Sequence, residues 1–362
     1  MSENMELKQS TTTIARKPIG VALQGGGSWG AYTWGVLDAL LASRRVDIVQ
    51  LSGTSAGAIN AAIVASALAK GTPAQAREAL RAFWLGIADP AFADVVRAMW
   101  GPLGHRLRHS VGEWLLAGGA LSPYGANPLG LNPLRSAIES HVDIDAIRSK
   151  SSPALYVTVT NVKTGLPRVI SNEAMSIDAL LASACLPELF QAVELDGEAY
   201  WDGGYCGNPT LWPMIHHGAA RDIIVVQLVG DLAGDVPVDA RSIRRRVGEI
   251  VFNSSLVAEM QAIAAMRTLA ARGNRASSVA DLRLHRIGPP REGLAIEGSA
   301  SERSRVWLQR LHEEGLAAGK QFMSRHGRDL GVRETLDVAR VFSDGHKPRM
   351  RASVLQASAA VA

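Results

Sequence analysis

Short apolar runs and helical segments alternate in the first seventy residues of the chain. Residues 19–24 (IGVALQ) form an apolar run that three glycines end, and residues 28–42 then place apolar side chains at helical spacing. A second uncharged run, 48–52, leads into the turn GTSAG at 53–57, and an alanine-rich helix follows to about residue 69. Because strand, tight loop and helix occur twice in succession, we predict an α/β fold with a mostly parallel central sheet.

Between residues 71 and 150 the pattern becomes helical. Helical segments at about 74–87 and 133–149 enclose a stretch rich in Gly, Pro and Trp. We expect this region to be a helical insertion that covers an edge of the sheet, with its aromatic residues serving packing.

Strand patterns return after the insertion. Predicted strands lie at 155–162, 166–170 and 223–230, and a helix and a hairpin within 176–204 separate the second from the third. Two further helices are predicted at about 241–271 and 302–325. The apolar residues of the helix at 241–271 predict packing on the core or on a partner helix, with contact to a membrane surface as the alternative.

Composition and charge exclude several classes of protein. The 362 residues are 47% apolar, which allows a sizeable core, and the net charge of +4 is too dispersed for a nucleic-acid-binding module. The one dense basic cluster, RSIRRR at 241–246, is predicted to be a solvated helix start, with an anionic-surface contact as the alternative. Polar and glycine residues interrupt the uncharged run at 48–69, which argues against a membrane-spanning helix.

The N-terminus and the cysteines bear on location and cofactors. Residues 1–20 are polar and carry no secretory-signal pattern, so we expect a cytoplasmic protein, with peripheral contact to a membrane as an alternative. Cys185 and Cys206 lack metal-ligand spacing, and no histidine lies in an HExxH motif. We therefore expect no metal and no other cofactor, and we expect Cys185 to be a small buried hydrophobe.

The first glycine loop allows two interpretations. Gly25, Gly27 and Gly30 satisfy GxGxxG between a strand and a helix, which is typical of dinucleotide binding. That interpretation needs an acidic residue at the end of the second strand, whereas Asp47 precedes the strand. The alternative is an oxyanion hole, since backbone N–H groups at the start of a helix stabilise the negative charge that develops in acyl transfer.

Ser55 is the candidate nucleophile. It lies between Gly53 and Gly57 in a GxSxG motif, after a strand and before a helix, where small neighbours permit a sharp turn that exposes the hydroxyl. A serine nucleophile needs a base, and the candidate is Asp202, at the end of a hairpin strand and directly before Gly203 and Gly204. Taken alone, an Asp-Gly pair at a strand end indicates an ordinary turn.

Together, GGGSWG after the first strand, GTSAG after the second and DGG about 150 residues later resemble the patatin-like phospholipase family. The resemblance covers roughly residues 19–230 and implies a three-layer α/β/α fold. It implies Ser55 as nucleophile and Asp202 as its proton acceptor, with lipid acyl esters as substrates and no cofactor. The implied oxyanion hole is formed by Gly25, Gly26, Gly27, Ser28 and Gly30.

One residue departs from the family pattern, because Trp29 stands where many relatives have Arg or Lys. From the sequence pattern and the resemblance together we expect four parts: a flexible N-terminus at 1–17, a patatin-like catalytic domain at 18–230 with a helical insertion at about 71–150, a helical C-terminal extension at 231–345 and a flexible tail at 346–362.

Two alternatives remain open from the sequence. One is an α/β-hydrolase with a triad of Ser55, Asp202 and His285, in an order that this fold permits. The other is a non-catalytic lipid-binding protein that keeps the fold. We expect His216 and His217, which follow the DGG motif, to be structural.

Overall fold

The structure is a computed structural model, and it describes residues 16–89, 92, 122–230, 236–273, 279–289 and 302–342. An eight-stranded sheet lies at its centre. The strands are β1 Lys17–Leu23, β2 Val46–Gly53, β3 Ala154–Asn161, β4 Pro167–Ser171, β5 Val193–Leu195, β6 Glu198–Asp202, β7 Asp222–Val226 and β8 Arg283–Ile287.

The strand order is β5-β6-β3-β2-β1-β7-β8, and β4 also pairs with β3. The five strands from β3 to β8 in this order are parallel to their neighbours, whereas β4, β5 and β6 are antiparallel additions. Leu23, the last residue of β1, pairs with Gly53 of β2 on one side and with Val226 of β7 on the other. The loops that follow these three strands therefore meet at one edge of the sheet.

Eleven α-helices are found in the described residues. They are α1 Gly30–Ala42, α2 Ala56–Lys70, α3 Pro73–Ile87, α4 Pro123–Ala126, α5 Leu134–Glu139, α6 Ile144–Arg148, α7 Ile177–Ser183, α8 Trp212–His216, α9 Ala240–Gly273, α10 Arg305–His326 and α11 Val338–Phe342. Short 3-10 turns at Gly27–Trp29 and Gly203–Tyr205 follow β1 and β6. None of these helices is long and apolar enough to cross a membrane.

The side chains of β1 alternate between two hydrophobic cores, one on each face of the sheet. Ile19, Val21 and Leu23 pack into a core built with α1, α2, α3, α7 and α10. Ala22 packs into a second core built with α8, α9 and α11. Because both faces of the parallel strands are covered, the fold has three layers, with helices above and below the sheet. This confirms the predicted α/β/α class.

The C-terminal part of the chain is integrated into this architecture. Helix α10 packs on α1 so closely that Gly35 lies against the backbone of His312, and Gly315 lies against the backbone of Tyr32. A side chain at either glycine would overlap the facing backbone. Helix α1 is thus buried between the sheet and α10, which explains why almost all of its residues are buried.

Two features differ from the sequence prediction. The part after residue 231 was expected to be helical, but β8 pairs with β7 and extends the central sheet. The five residues of β8, RLHRI, neither form an apolar run nor alternate apolar with polar side chains, so the sequence pattern does not predict a strand there. The insertion was expected to cover a sheet edge, whereas α3 packs on α1 and α2, because its buried residues form one stripe that fits the helical layer. Residues 90–91 and 93–121 of the insertion lie outside the described part.

Candidate active site

Ser55 occupies the turn between β2 and α2 in a conformation that is rare for a non-glycine residue, with φ 55° and ψ −126°. The flanking glycines permit this turn. A Cβ at Gly53 would lie 2.5 Å from the carbonyl oxygen of Gly57, and a Cβ at Gly57 would overlap the carbonyl of Leu23. Ser55 therefore sits on a sharp elbow at the N-terminus of α2, where the helix dipole favours negative charge.

Ser183 holds the elbow against the sheet. The Ser55 amide donates to Ser183 Oγ at 3.0 Å, and Ser183 Oγ donates to the carbonyl of Thr158 in β3 at 2.7 Å. A second tie comes from Thr54, whose hydroxyl donates to the Gly207 carbonyl at 2.6 Å. These bonds fix the strained backbone to two neighbouring elements.

Strand β3 brings Asp202 to the serine. Gly53 pairs with Val157 of β3, and Asp202 pairs with Val159, two residues further along the same strand. Next to Asp202, a Cβ at Gly203 would lie 3.0 Å from the Thr54 methyl group. The end of β6 therefore meets the elbow, and Asp202 lies next to the turn that carries Ser55.

The Asp202 carboxyl group is fully buried. Its Oδ1 accepts a hydrogen bond from the Gly204 amide at 2.7 Å, whereas no hydrogen bond to Oδ2 is found within the described part of the chain. Burial, with a smaller contribution from the negative charge of Glu188, raises the pKa of Asp202 to about 7, against the lowering effects of the Gly204 amide and the Ser55 hydroxyl. Near neutral pH this group can both accept and release a proton.

The glycine loop after β1 lies directly against Ser55, since a Cβ at Gly25 would be 2.8 Å from the Ser55 Cβ. The Gly25 amide donates to Asn208 Oδ1 at 2.6 Å, and the Gly30 amide donates to the carbonyls of Gly27 and Ser28. The amides of Gly26 and Gly27 make no hydrogen bond to the described residues. The loop thus presents two unused backbone donors beside the serine.

Asn208 and Gln24 anchor this loop to α9. Besides accepting from Gly25, Asn208 donates through Nδ2 to the Phe252 carbonyl at 2.9 Å, and Gln24 Nε2 donates to Asn253 Oδ1 at 3.0 Å. Sequence reasoning did not identify Ser183, Gln24 or Asn208 as site residues. Asn208 follows the DGG motif by only a few residues, so the motif's neighbourhood was the available signal.

Trp29 brings no positive charge to the loop. Its side chain is 9% exposed, and it lies against Gly26, where an added Cβ would be 3.2 Å from the indole. The indole Nε1 is buried without a hydrogen-bond partner among the described residues. Trp29 can therefore contribute to the site only through its backbone and its packing.

The structure places the other candidate residues away from Asp202. His285 lies on β8, with Nε2 3.0 Å from Asp222 Oδ1 and Nδ1 2.9 Å from the Thr335 hydroxyl. His216 and His217 are exposed at the end of α8. Asp47, the candidate ribose ligand, is exposed near the start of β2, opposite Pro18.

Two further observations concern other chemistries. Cys185 is buried, and burial raises the pKa of its thiol to about 12, which disfavours a thiolate. Over the described ranges, no three His, Cys, Asp or Glu side chains are grouped so that they could hold a metal ion.

Comparisons with known proteins place the chain in a family. A sequence profile described as "Patatin-like phospholipase" matches residues 21–215. No curated protein matches the sequence significantly. Among solved structures, VipD from Legionella pneumophila is 16% identical, with a TM-score of 0.40, and the match covers 86% of this chain and 68% of VipD. The type III effector protein ExoU is 15% identical, with a TM-score of 0.32, covering 85% of this chain and 53% of ExoU.

The matched region spans more than half of the chain and contains all three motifs, GGGSWG, GTSAG and DGG, in that order along the sequence. Both structural similarities are too distant to add to this result. Because the family is one of phospholipase-like proteins, the match supports activity as a lipid acyl hydrolase at the level of the family. The chain belongs to the patatin-like phospholipase family.

Proposed function

We propose that this protein is a serine hydrolase that cleaves acyl ester bonds of lipids with a dyad of Ser55 and Asp202. The observation that carries the proposal is the Asp202 carboxyl group, fully buried beside the elbow serine with an oxygen left without a partner in the described residues. A buried, unpaired carboxylate is costly for a folded protein, and such groups are concentrated at sites that use them. Membership of a phospholipase-like family supports lipid esters as the substrate class.

In the first half of the reaction, Ser55 Oγ attacks the carbonyl carbon of the ester while Asp202 accepts the hydroxyl proton. The carbonyl oxygen becomes negatively charged, and the amides of Gly26 and Gly27 stabilise it, together with the N-terminus of α2. When the tetrahedral intermediate collapses, the alcohol leaves with the proton from Asp202. The acyl group is then bound to Ser55.

In the second half, a water molecule attacks the acyl group and gives its proton to Asp202. Collapse of the second tetrahedral intermediate breaks the bond to Ser55 Oγ, which takes the proton back, and a fatty acid leaves. A pKa of about 7 suits both directions of transfer, because a base is most effective when its pKa is near the working pH.

The experiment that tests this function is turnover of a panel of acyl esters, including phospholipid vesicles, with fatty acid release measured by mass spectrometry. Ser55→Ala and Asp202→Asn are each expected to lower turnover by about 10⁴-fold or more, as for other nucleophile and base removals. Ser43→Ala, at the C-terminal end of α1, is the matched control and should leave turnover unchanged. Vesicle binding without any ester cleavage by the wild type would identify a non-catalytic lipid-binding protein instead.

A further inference from the structure

The N-terminal half of α9 has an exposed apolar face beside the candidate active site. Ile243, Val247, Ile250 and Val251 are 43%, 53%, 52% and 37% exposed, respectively. We call these four residues the α9 stripe. Spacings of three, four and eight residues put them on one side of the helix, over about 12 Å of its length.

The α9 stripe lies opposite the face that packs on the protein. The inner face contains Phe252, Leu256 and Met260. These residues lie nine positions after Ile243, Val247 and Val251, respectively. Nine residues are two and a half helical turns, so each pair points in opposite directions. Leu256 and Met260 are fully buried, whereas the stripe faces outward, so the stripe is not needed for the core.

The inner face connects α9 to the catalytic motifs. The Phe252 ring lies against Gly204 and is 5.1 Å from the ring of Tyr205. Gly204 and Tyr205 follow Asp202 by two and three residues. The Phe252 carbonyl and Asn253 bond to the two residues that anchor the glycine loop. The α9 stripe therefore ends within one turn of the residues that support the active site.

Arginines flank the α9 stripe. Residues 239–259 contain four arginines, Arg241, Arg244, Arg245 and Arg246, and three acidic residues, Asp239, Glu249 and Glu259, of which Glu259 faces inward and accepts from the Leu211 amide. Arg244 and Arg246 flank the stripe on either side at 100° per residue. Glu249 pairs with Arg245 and Arg246, and Arg244 is exposed with no ion pair inside the described ranges.

We propose that the α9 stripe is a docking surface for an anionic lipid membrane, which brings the active site to its substrate; this inference rests on the proposed function. Apolar side chains between arginines are the pattern of a helix that lies in the membrane interface, with the apolar face among the acyl chains and the arginines at the phosphates. A second copy of the chain fits less well, because a two-fold contact through the stripe would bring like-charged segments together.

The test uses full-length protein that carries Ser55→Ala, so that the vesicles stay intact, and measures co-sedimentation with phosphatidylglycerol and with phosphatidylcholine vesicles. The double variant Val247→Glu, Ile250→Glu is expected to bind phosphatidylglycerol vesicles at least about 30-fold more weakly. Arg244→Gln should weaken binding about fivefold, and this loss should shrink at high salt. Val332→Glu, which changes an exposed valine near the opposite edge of the sheet, is the control and should bind normally.

Two results would overturn the docking surface. The first is that the stripe variant binds vesicles as tightly as its parent. The second is that sedimentation shows the parent to be a dimer that this variant dissociates, which would assign the stripe to contact between copies. With Ser55 intact, the stripe variant should still cleave a soluble short-chain ester at the parental rate. If neither the Ser55-containing parent nor its stripe variant cleaves the ester, but the stripe variant still binds vesicles more weakly, the proposed function is rejected and the docking surface is retained.

Discussion

Replacing Asp202 by Asn should abolish activity and, at neutral and higher pH, relieve an energetic cost of folding. The ionised carboxylate is fully buried and one of its oxygens has no partner in the described residues. Asparagine has nearly the same shape, keeps an oxygen for the Gly204 amide and carries no charge. The comparison therefore isolates the free energy of ionising Asp202 in its buried position.

The size of this cost follows from the pKa. Burial raises the pKa of Asp202 from 3.8 to about 7, so the protonated form favours folding. Its stabilising contribution is fully present below pH 3.8 and is lost as the pH rises to about 7. A pKa unit corresponds to about 1.4 kcal/mol, so the complete loss is about 4 kcal/mol, of which about 3 kcal/mol falls between pH 4.5 and 8.5.

The assay is urea unfolding of both proteins at several pH values from 4.5 to 8.5. The free energy of unfolding of Asp202→Asn minus that of the wild type should increase by about 3 kcal/mol across this range. Asp143→Asn is the matched control. The pKa of Asp143 is lowered by Lys70, so this carboxylate is already ionised over the whole range, and Asn serves equally well as a helix N-cap. Its difference from the wild type should not change with pH.

The raised pKa would be contradicted if the free energies of unfolding of Asp202→Asn and the wild type differed by a constant amount from pH 4.5 to 8.5. Such a constant difference would mean that Asp202 ionises in the folded protein as easily as in the unfolded chain. Asp202 would then lack the raised pKa that suits it to act as a base near neutral pH.

Three further predictions concern the supporting residues. Gly27→Ala forces an alanine to adopt φ 58° and should lower kcat about 100-fold, because it displaces an oxyanion donor. Near-normal turnover by a folded variant would remove the loop from the mechanism. Asn208→Ala leaves the buried Gly25 amide unpaired, so thermal denaturation should show that the free energy of unfolding falls by about 1–3 kcal/mol. We expect a lower kcat at a similar KM, and an unchanged kcat would count against a role of Asn208 in positioning the loop. His285→Gln should lower stability but keep kcat/KM within about threefold, whereas a loss of orders of magnitude in folded protein would favour the triad.

The sequence predicted the parts of the site that local motifs encode. Ser55 and Gly53 lie in a short motif between a strand and a helix, and the geometry of such a turn depends on residues only a few positions apart. Asp202 was predicted because it ends a hairpin strand directly before Gly203 and Gly204, and β6 is found where this pattern predicts it.

The sequence could not predict the contacts that depend on distant parts of the chain. Ser183 reaches Ser55 from 128 positions away, and Asn208 reaches Gly25 from 183 positions away. Polar residues of this kind give no periodic signal, since their role is set by the neighbours that the fold brings to them. Strand β8 escaped prediction for the same reason, because pairing with β7 rather than its own pattern makes it a strand.

The rate at which a fluorophosphonate probe labels Ser55 measures whether Asp202 activates Ser55, without knowledge of the natural substrate. Labelling is followed by intact mass, and the labelled residue is identified by peptide mapping. We predict that the rate rises with pH to a plateau, with its midpoint near pH 7, and that Asp202→Asn lowers the plateau by at least about 100-fold while circular dichroism shows a folded protein. Labelling of Ser55 at the wild-type rate in Asp202→Asn would show that Asp202 does not activate Ser55, and labelling of another serine in the wild type would show that Ser55 is not the nucleophile.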